Sequence, residues 1–465
     1  MRWLWLGIAV VVGGCTAPNP KSCADGTCGD PALPFCDVNG TLGGLPNECI
    51  APACESNTFA ECRGDSEVRC NATGDGYDVT RCERGCEPGI GCLACDPNET
   101  VCANGSVVTC NAAGDVTVVE DCPLGCYESE PRCREVDPSN GLGMYLDMVP
   151  SPPDLDLGGG GTIDTTEGTI STAGDVSLDV PTFLVPAPAG GAPIRVFVAN
   201  DVVLGDVSVT SGGPYGGPAL AIVARGEIDV VGSVGVQSGD LLSSGCSGSN
   251  GVHEESETTR LASGSGGGAH ATDGAAGGAT SPGETPGGQG GRAQGTAELV
   301  PLRGGCAAGG TSSTIAPATH GVRGGGAVQM TSRRLVRVAG HIDVRGTHGD
   351  TTNGYAFSGG GAGGGILLEA PRVELEGRGG LVASGGDGGG CTSSDLGCGA
   401  RGSGAQAGSM AQPGGEPTGT SRYRRGGGGG GGLGRIRINS KDASYTASST
   451  FELNGDRTPG TLATR

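Results

Sequence analysis

Val202-Val-Leu204, then Val207-Ser-Val209, closed by Ser211-Gly212, is a short phrase that recurs four more times down the chain. It returns as Ile228-Asp-Val230, Val234-Gly-Val236 and Ser238-Gly239, and again as Val336-Arg-Val338, Ile342-Asp-Val344 and Arg345-Gly346. A further copy reads Val373-Glu-Leu375, Leu381-Val-Ala383 and Ser384-Gly385, and a worn one ends Phe451-Glu-Leu453-Asn454-Gly455. Another apolar strand precedes each copy, at 196–198, 220–223, 328–330, 366–368 and 436–438. Alternating apolar residues mark strands with one buried face. Three such strands per copy, separated by turns, predict one coil of a parallel β-helix. Coils stacked at ~4.8 Å bury columns of aliphatic side chains and need no large aromatics. A small sandwich of hairpins is the competing fold, and either choice is all-β.

The repeat gives the glycine a place. Glycine supplies 96 of 465 residues. The long glycine-rich stretches, 212–218, 240–326, 347–364 and 387–434, all fall after the closing glycine of a copy. Insertions at one corner of a solenoid emerge on one side, so these predict a glycine-rich crest along one edge. Plain disorder is the simpler expectation for their conformation. Packing as extended threads resembling polyproline II is the alternative. Cys246 and Cys306 lie in one insertion, Cys391 and Cys398 in another, and each pair is placed to staple its own loop.

The first third holds the remaining cysteines. There are 21 in all, and 16 lie between Cys23 and Cys133. A four-cysteine module spans 23–50, and six-cysteine modules span 51–94 and 95–133. The two longer modules repeat 40 residues apart: Cys70/Cys110, Cys82/Cys122 and Cys86/Cys126, with Asn71-Ala-Thr-Gly-Asp75 answering Asn111-Ala-Ala-Gly-Asp115. Each reads as a hairpin, 67–70 against 78–82 in the first. Such small units cannot fold on apolar burial alone, so three bridges at ~2–4 kcal/mol each are expected to hold them. Six cysteines allow fifteen pairings, and spacing does not choose among them. Zinc is the rival use, but only Cys92-Leu-Ala-Cys95 has CxxC spacing and no histidine precedes His253. Residues 134–165, with Asp137-Pro138, Pro150-Ser-Pro-Pro153 and four glycines at 158–161, read as a Pro/Gly/Asp linker to a domain over 166–465.

The amino terminus sets the compartment. Met1-Arg2, an apolar run over 3–12 and Val12-Gly-Gly-Cys15 read as a secretory signal over 1–14 ending in a lipobox. The run is too short to span ~30 Å of hydrocarbon. Cys15 is then the lipidated residue and 15–22 a tether. Removing Cys15 leaves 20 cysteines, an even number that suits disulfides formed outside the cytosol. Both tryptophans, Trp3 and Trp5, fall within the signal. The net charge of −21 argues against nucleic acid or an anionic membrane surface as partner.

Candidate chemistry is thin. No GxxxxGK[ST] opens a helix, and Gly385-Gly-Asp387 lacks the periodic aspartate of calcium-binding β-rolls, so no cofactor or metal is expected. His253-Glu-Glu255 lacks the second histidine of a zincin, since Glu257 stands there. Asp229, Arg337 and Glu374 fall at matching positions of successive coils. They read as an outward charge ladder, or as the start of a carboxylate-lined cleft. Arg63-Gly-Asp-Ser66 matches an integrin-binding tetrapeptide, and its Gly-Asp also fits a turn.

The lipobox at 12–15, the paired modules, Pro138-Ser-Asn-Gly-Leu142, Val300-Pro-Leu-Arg-Gly-Gly-Cys306 and Gly434-Arg-Ile-Arg-Ile438 together resemble surface lipoproteins of myxobacterial type. That resemblance implies a cell-envelope address and no activity. Thr16 after Cys15 departs from the aspartate that retains many lipoproteins in the inner membrane, which favours the outer membrane. The expectation is a lipid-anchored structural, adhesive or recognition protein without catalysis, whose partners are the membrane, through Cys15, and an envelope or extracellular polysaccharide or protein. The alternatives are a polysaccharide-active enzyme on a β-helix and a protease-inhibitor or ligand-binding cysteine module.

Overall fold

The computed structural model describes residues 22–465 apart from 24–26, 31, 34, 41–44, 52–53, 56, 73–75, 83–84, 90, 93–97, 112–115, 187–191, 212–216, 237–245, 256–259, 282–283, 314–320, 351–356, 391–397 and 419–422. It falls into two units, one ending at Arg134 and one beginning at Glu135.

The first unit is a run of small antiparallel sheets held by disulfides. Phe35–Asp37 pairs with Glu48–Ile50, closed by Cys23–Cys36 and Cys28–Cys49. Phe59–Arg63, Ser66–Cys70 and Tyr77–Arg81 form a three-stranded meander, so the predicted hairpin gains an earlier strand. Thr100–Ala103, Ser106–Cys110 and Val116–Asp121 repeat it. The pairing left open by spacing is now defined. Cys54–Cys70, Cys62–Cys86 and Cys82–Cys92 join first to third, second to fifth and fourth to sixth. Cys102–Cys126 and Cys122–Cys133 obey the same rule. Each module buries one valine completely, Val68 in the first and Val108 at the matching place in the second. A core of that size cannot offset the chain entropy of a module this long, and the cross-links do that work instead.

The second unit is the parallel β-helix, and it has three faces. Face one stacks Leu155–Leu157, Val202–Leu204, Ile228–Val230, Leu335–Val338, Arg372–Leu375 and Thr446–Ala447. Face two carries Gly161–Asp164, Val207–Thr210, Ser233–Val236, His341–Asp343, Gly380–Val382 and Glu452–Asn454. Face three carries Ile194–Ala199, Ala219–Ala224, Ala327–Ser332, Gly365–Glu369, Arg435–Ser440 and Asp456–Thr461. Register follows the repeat. Val202, Ile228, Val336 and Val373 pair in turn across face one, and Val207, Val234, Ile342, Leu381 and Leu453 across face two. The inner column of face three is Phe197, Ile222, Met330, Leu368 and Ile438. These columns form one continuous core. The first coil is blunted by antiparallel strands: Thr169–Thr172 and Ser177–Leu178 beside face two, and Thr182–Val185 beside face three. Such pairing protects an otherwise open sheet edge.

The linker expected at 134–165 is corrected. Its first residue, Arg134, closes the first unit, and the rest belongs to the β-helix. Leu155–Leu157 and Gly161–Asp164 are the first rungs of faces one and two. Gly143–Met148 is a helix whose Leu146, with Leu142 before it, is fully buried against the outer side of face three. Face three is therefore covered on both sides, which is why its strand Ala219–Ala224 reads as an unbroken apolar run. A polar latch fixes this cover. Glu369, buried and pointing outward from face three, accepts from Ser139 N (3.1 Å) and Ser139 Oγ (2.6 Å) of the cover. It also accepts from Gln329 Nε2 (2.8 Å), Thr331 Oγ1 (2.9 Å) and Asn439 Nδ2 (3.0 Å) of neighbouring strands. Asn140 adopts a left-handed φ of 61°, which asparagine tolerates, and its amide joins Gln329 Oε1 at 2.9 Å and Leu302 N at 3.0 Å. Pro138-Ser-Asn-Gly-Leu142 is thus a docking motif. A buried carboxylate is tolerable there because its oxygens are supplied with donors.

Cys110 is disulfide-bonded, and the repeat assigns its partner by analogy with Cys54–Cys70. Peptide mapping of the unreduced protein is expected to return the pairs above together with Cys95–Cys110. A Cys92–Cys95 peptide would contradict the repeat rule.

Candidate functional site

The insertions converge on one structure. All three long ones leave the end of a face-two strand and return at the start of a face-three strand, so they emerge from one corner as the repeat predicts. Disorder, the simpler expectation for them, is not what their described residues adopt. Segment 263–270 is extended, wholly buried and surrounded by six neighbours. Its N–H groups donate in rotation. Ser263, Gly266 and Ala269 donate to Val252, Ser249 and Cys246, all within 2.9–3.0 Å. Gly264 and Gly267 donate to Gly278 and Ala275, and Ser265 and Gly268 to Phe357 and Gly360. The carbonyls accept by the same rotation. Gly264 and Gly267 receive Gly288 and Gly291, Ser265 and Gly268 receive Gly429 and Gly432, and Gly266 and Ala269 receive Gly309 and Cys306.

A partner that changes every residue and returns every third is the signature of a threefold extended helix of the polyproline II kind. Here the backbone bonds run between threads rather than being left to water. Only glycine permits the spacing. A Cβ on Gly267 would run into the carbonyl of Gly430, one on Gly264 into that of Gly427, and one on Gly268 into that of Cys306. Cα–H groups facing carbonyls at this range add weak polar contacts to the N–H bonds. The Cys246–Cys306 disulfide ties two threads that flank the central one, at a sequence separation of 60.

This geometry decides what the glycines can do. A phosphate cradle needs several backbone N–H groups pointing into open space. Those of 263–269 all donate to neighbouring threads, so the runs are packing material.

His270 ends the central thread and is buried where the bundle meets face three. Its Nδ1 lies 3.1 Å from both Gly363 O and Gly364 O. Carbonyls only accept, so Nδ1 carries the proton of the neutral ring. Burial, with the Arg435 guanidinium beside it, pushes its pKa down from 6.5 to about 4.

Other candidate residues resolve as follows. Arg337 lies between Asp229 (2.9 Å) and Glu374 (3.2 Å), so the three outward residues of face one are a closed charge ladder. His341 and Asp343 also face outward, and Asp343 pairs with Arg345 at 2.7 Å. His253 is buried on strand Gly251–Glu255. The arginine of Arg63-Gly-Asp is occupied: it pairs with Glu61 at 2.7 Å, donates to Cys36 O and stacks over Phe35 at 4.7 Å. Two groups of clustered potential ligands, Cys23/Cys28/Cys49 and Glu67/Cys82/Cys92, have their sulfurs spent in disulfides. Cys92 is bonded to Cys82 and not to its CxxC neighbour. Of the predicted cysteines, Cys70, Cys82, Cys86, Cys122, Cys126, Cys246 and Cys306 are bridged as described, and Cys110 and Cys398 are disulfide-bonded. Cys15, Cys95 and Cys391 lie outside the described residues. Glu369 and His270 were not anticipated. The available signals were a carboxylate closing the apolar strand Gly365–Glu369 and an imidazole inside a glycine thread.

Comparison of the chain with protein-family models, curated proteins and solved structures returned no match.

Two expectations follow from the bundle. Gly267→Ala forces a methyl into a backbone carbonyl and is expected to cost roughly 1–3 kcal/mol. Gly174→Ala, whose Cβ would have Thr172 Oγ1 as its nearest contact at 3.8 Å, is expected to be neutral. Equal melting temperatures for the two variants would contradict the close packing. The second concerns acid. The unfolded chain binds the His270 proton more tightly than the folded one, so this stability is complete above about pH 6.5. It is lost as pH falls through the window down to about 4, and amounts to about 3 kcal/mol. Denaturant midpoints measured across that window are expected to fall more steeply for the wild type than for His270→Gln. Parallel curves would exclude the effect.

Proposed function

We propose that this chain is a lipid-anchored protein of the bacterial envelope, attached to the outer membrane through Cys15, with a structural, adhesive or recognition role. In this reading the disulfide modules stand next to the anchor, and the β-helix with its glycine bundle forms a stiff presenting body. Its partner is an envelope or extracellular polysaccharide or a protein. The lipobox reading of Val12-Gly-Gly-Cys15 after an apolar run supports the address. Oxidised cysteines throughout the described first unit fit a compartment outside the reducing cytosol.

One observation carries the choice of presentation over catalysis. Glycan cleavage uses two carboxylates held apart across a scissile bond, with space between them for sugar or water. On face one the corresponding space between Asp229 and Glu374 is filled by Arg337, which binds both. Such a ladder contributes up to ~1 kcal/mol to stability.

Mass spectrometry of the protein extracted from membranes is expected to find lipid on Cys15, and Cys15→Ser to release the chain into the soluble fraction. An unmodified Cys15, or an amino terminus elsewhere, would remove the anchor. Glycan arrays are expected to show binding without new reducing ends, and turnover would replace this reading with the enzyme.

A further inference from the structure

The outer side of face three changes character along the β-helix. Its outward columns begin apolar, with Val196 and Ala221 in one and Val198 and Val223 in the other. In later coils Gln329 enters the first column, and Thr331, Glu369 and Asn439 continue the second. The cover spans both parts. Leu142 and Leu146 pack on the apolar part, while Ser139 and Asn140 bond to the polar one. Among the described residues, no backbone–backbone hydrogen bond joins 138–152 to the β-helix, so every bond across that interval involves a side chain. The inner core of the coils contains none of these residues.

The segment is fastened at its start. Residues 135–137 pair antiparallel with 463–465: Glu135 and Arg465 exchange two backbone bonds (3.1 and 3.0 Å), and Asp137 N donates to Ala463 O at 2.8 Å. Charged groups gather around this pairing. Arg465 grips Asp147 with both Nη atoms, at 2.7 and 2.8 Å, and lies 3.5 Å from Glu135. Arg333, in the turn that follows face three, binds Glu135 at 2.7 Å and lies 3.7 Å from Asp147. Arg225 holds the corresponding corner of the coil before and donates to Leu146 O at 2.7 Å. Two guanidiniums thus share two carboxylates, and such a network holds where an isolated surface pair does not. Asp147 is 59% exposed, so solvent reaches it.

We propose that residues 135–152 are a releasable strap, which lifts from face three as a unit while every coil stays folded, with Arg225, Arg333 and Arg465 as its clasp. The polar columns make the open state tolerable. Once the strap lifts, Gln329, Thr331, Glu369 and Asn439 face water, which replaces the donors that Ser139 withdraws, and no buried carboxylate is stranded. The apolar strip at Val196, Val198, Ala221 and Val223 makes the closed state the resting one. Release also changes reach. Twenty residues separate Arg134 from Leu155, the start of the first rung, and freed they extend up to about 70 Å. The device stands whether or not Cys15 carries lipid.

Native-state hydrogen exchange on the full chain tests this. The amides of Ser139 and of 145–148 are expected to exchange at one common rate, about tenfold or more above that of Ala219–Ala224. Arg465→Gln is expected to speed them roughly fivefold further and leave Ala219–Ala224 unmoved, and Asp147→Asn to do the same from the other side of the clasp. Raising sodium chloride from about 0.1 to about 1 M shortens the screening length from ~10 to ~3 Å, and is expected to speed the strap more in the wild type than in Arg465→Gln. Exchange of the strap only at the rate of Ala219–Ala224 would overturn the proposal, because the segment would then leave only with the whole unit. Fast exchange at 145–148 beside a protected Ser139 would reduce it to fraying of the helix. Unchanged strap rates in both variants, or equal acceleration of strap and strands, would remove the clasp. If Arg465→Gln fails to fold, Asp147→Asn and the wild-type rates decide.

Discussion

The second unit depends on how closely two backbones can approach. Where threads run as near as those around 263–270, a carbonyl occupies the place a side chain would need, and every third N–H returns to the same neighbour. Glycine is demanded at these contacts by geometry. Its usual liability is the large entropy lost on ordering. Here that loss is offset by a full set of backbone hydrogen bonds made out of water, where a missing bond would cost most. The bundle is cohesive without an apolar core of its own.

Such a bundle cannot align itself, since identical glycine threads offer no preferred register. The β-helix supplies the alignment. Its columns of Val, Ile and Leu fix the heights from which the insertions leave and return, and the Cys246–Cys306 bridge pins two threads beside the central one. A comparable division holds in the first unit, where sheets too small for a core are positioned by bridges of one repeated pattern. In both units, covalent or β-ladder register comes first and backbone packing follows.

The β-helix itself was readable because each of its inner columns has period two along the strand. Val202, Ile228, Val336 and Val373 announce their pairing by their spacing. Leu155–Leu157 follows the same rule but was hidden by Pro152-Pro153 and the glycines at 158–161, which serve as turns between faces. Glu369 could not be read as buried, because its position faces outward and is covered only once residues 139–149 dock. The thread partners were the least readable of all. Nothing in Gly426 to Gly432 distinguishes one neighbour from another, yet Gly427 and Gly430 donate to nearby Gly415 and Gln412 while Gly429 and Gly432 donate to the distant Ser265 and Gly268. His270 is intelligible only after those threads are in place.

Buried aliphatic columns, a latched cover and a hydrogen-bonded glycine edge make the second unit one cohesive body. All of this rests on the glycine bundle being ordered. Amide hydrogen exchange of the intact chain tests that directly. Amides of 264–269 and 428–432 are expected to exchange as slowly as those of the face-three strand Ala219–Ala224. Exchange at the rate of an unprotected peptide in these segments, beside protected strands, would contradict the bundle and the account built on it.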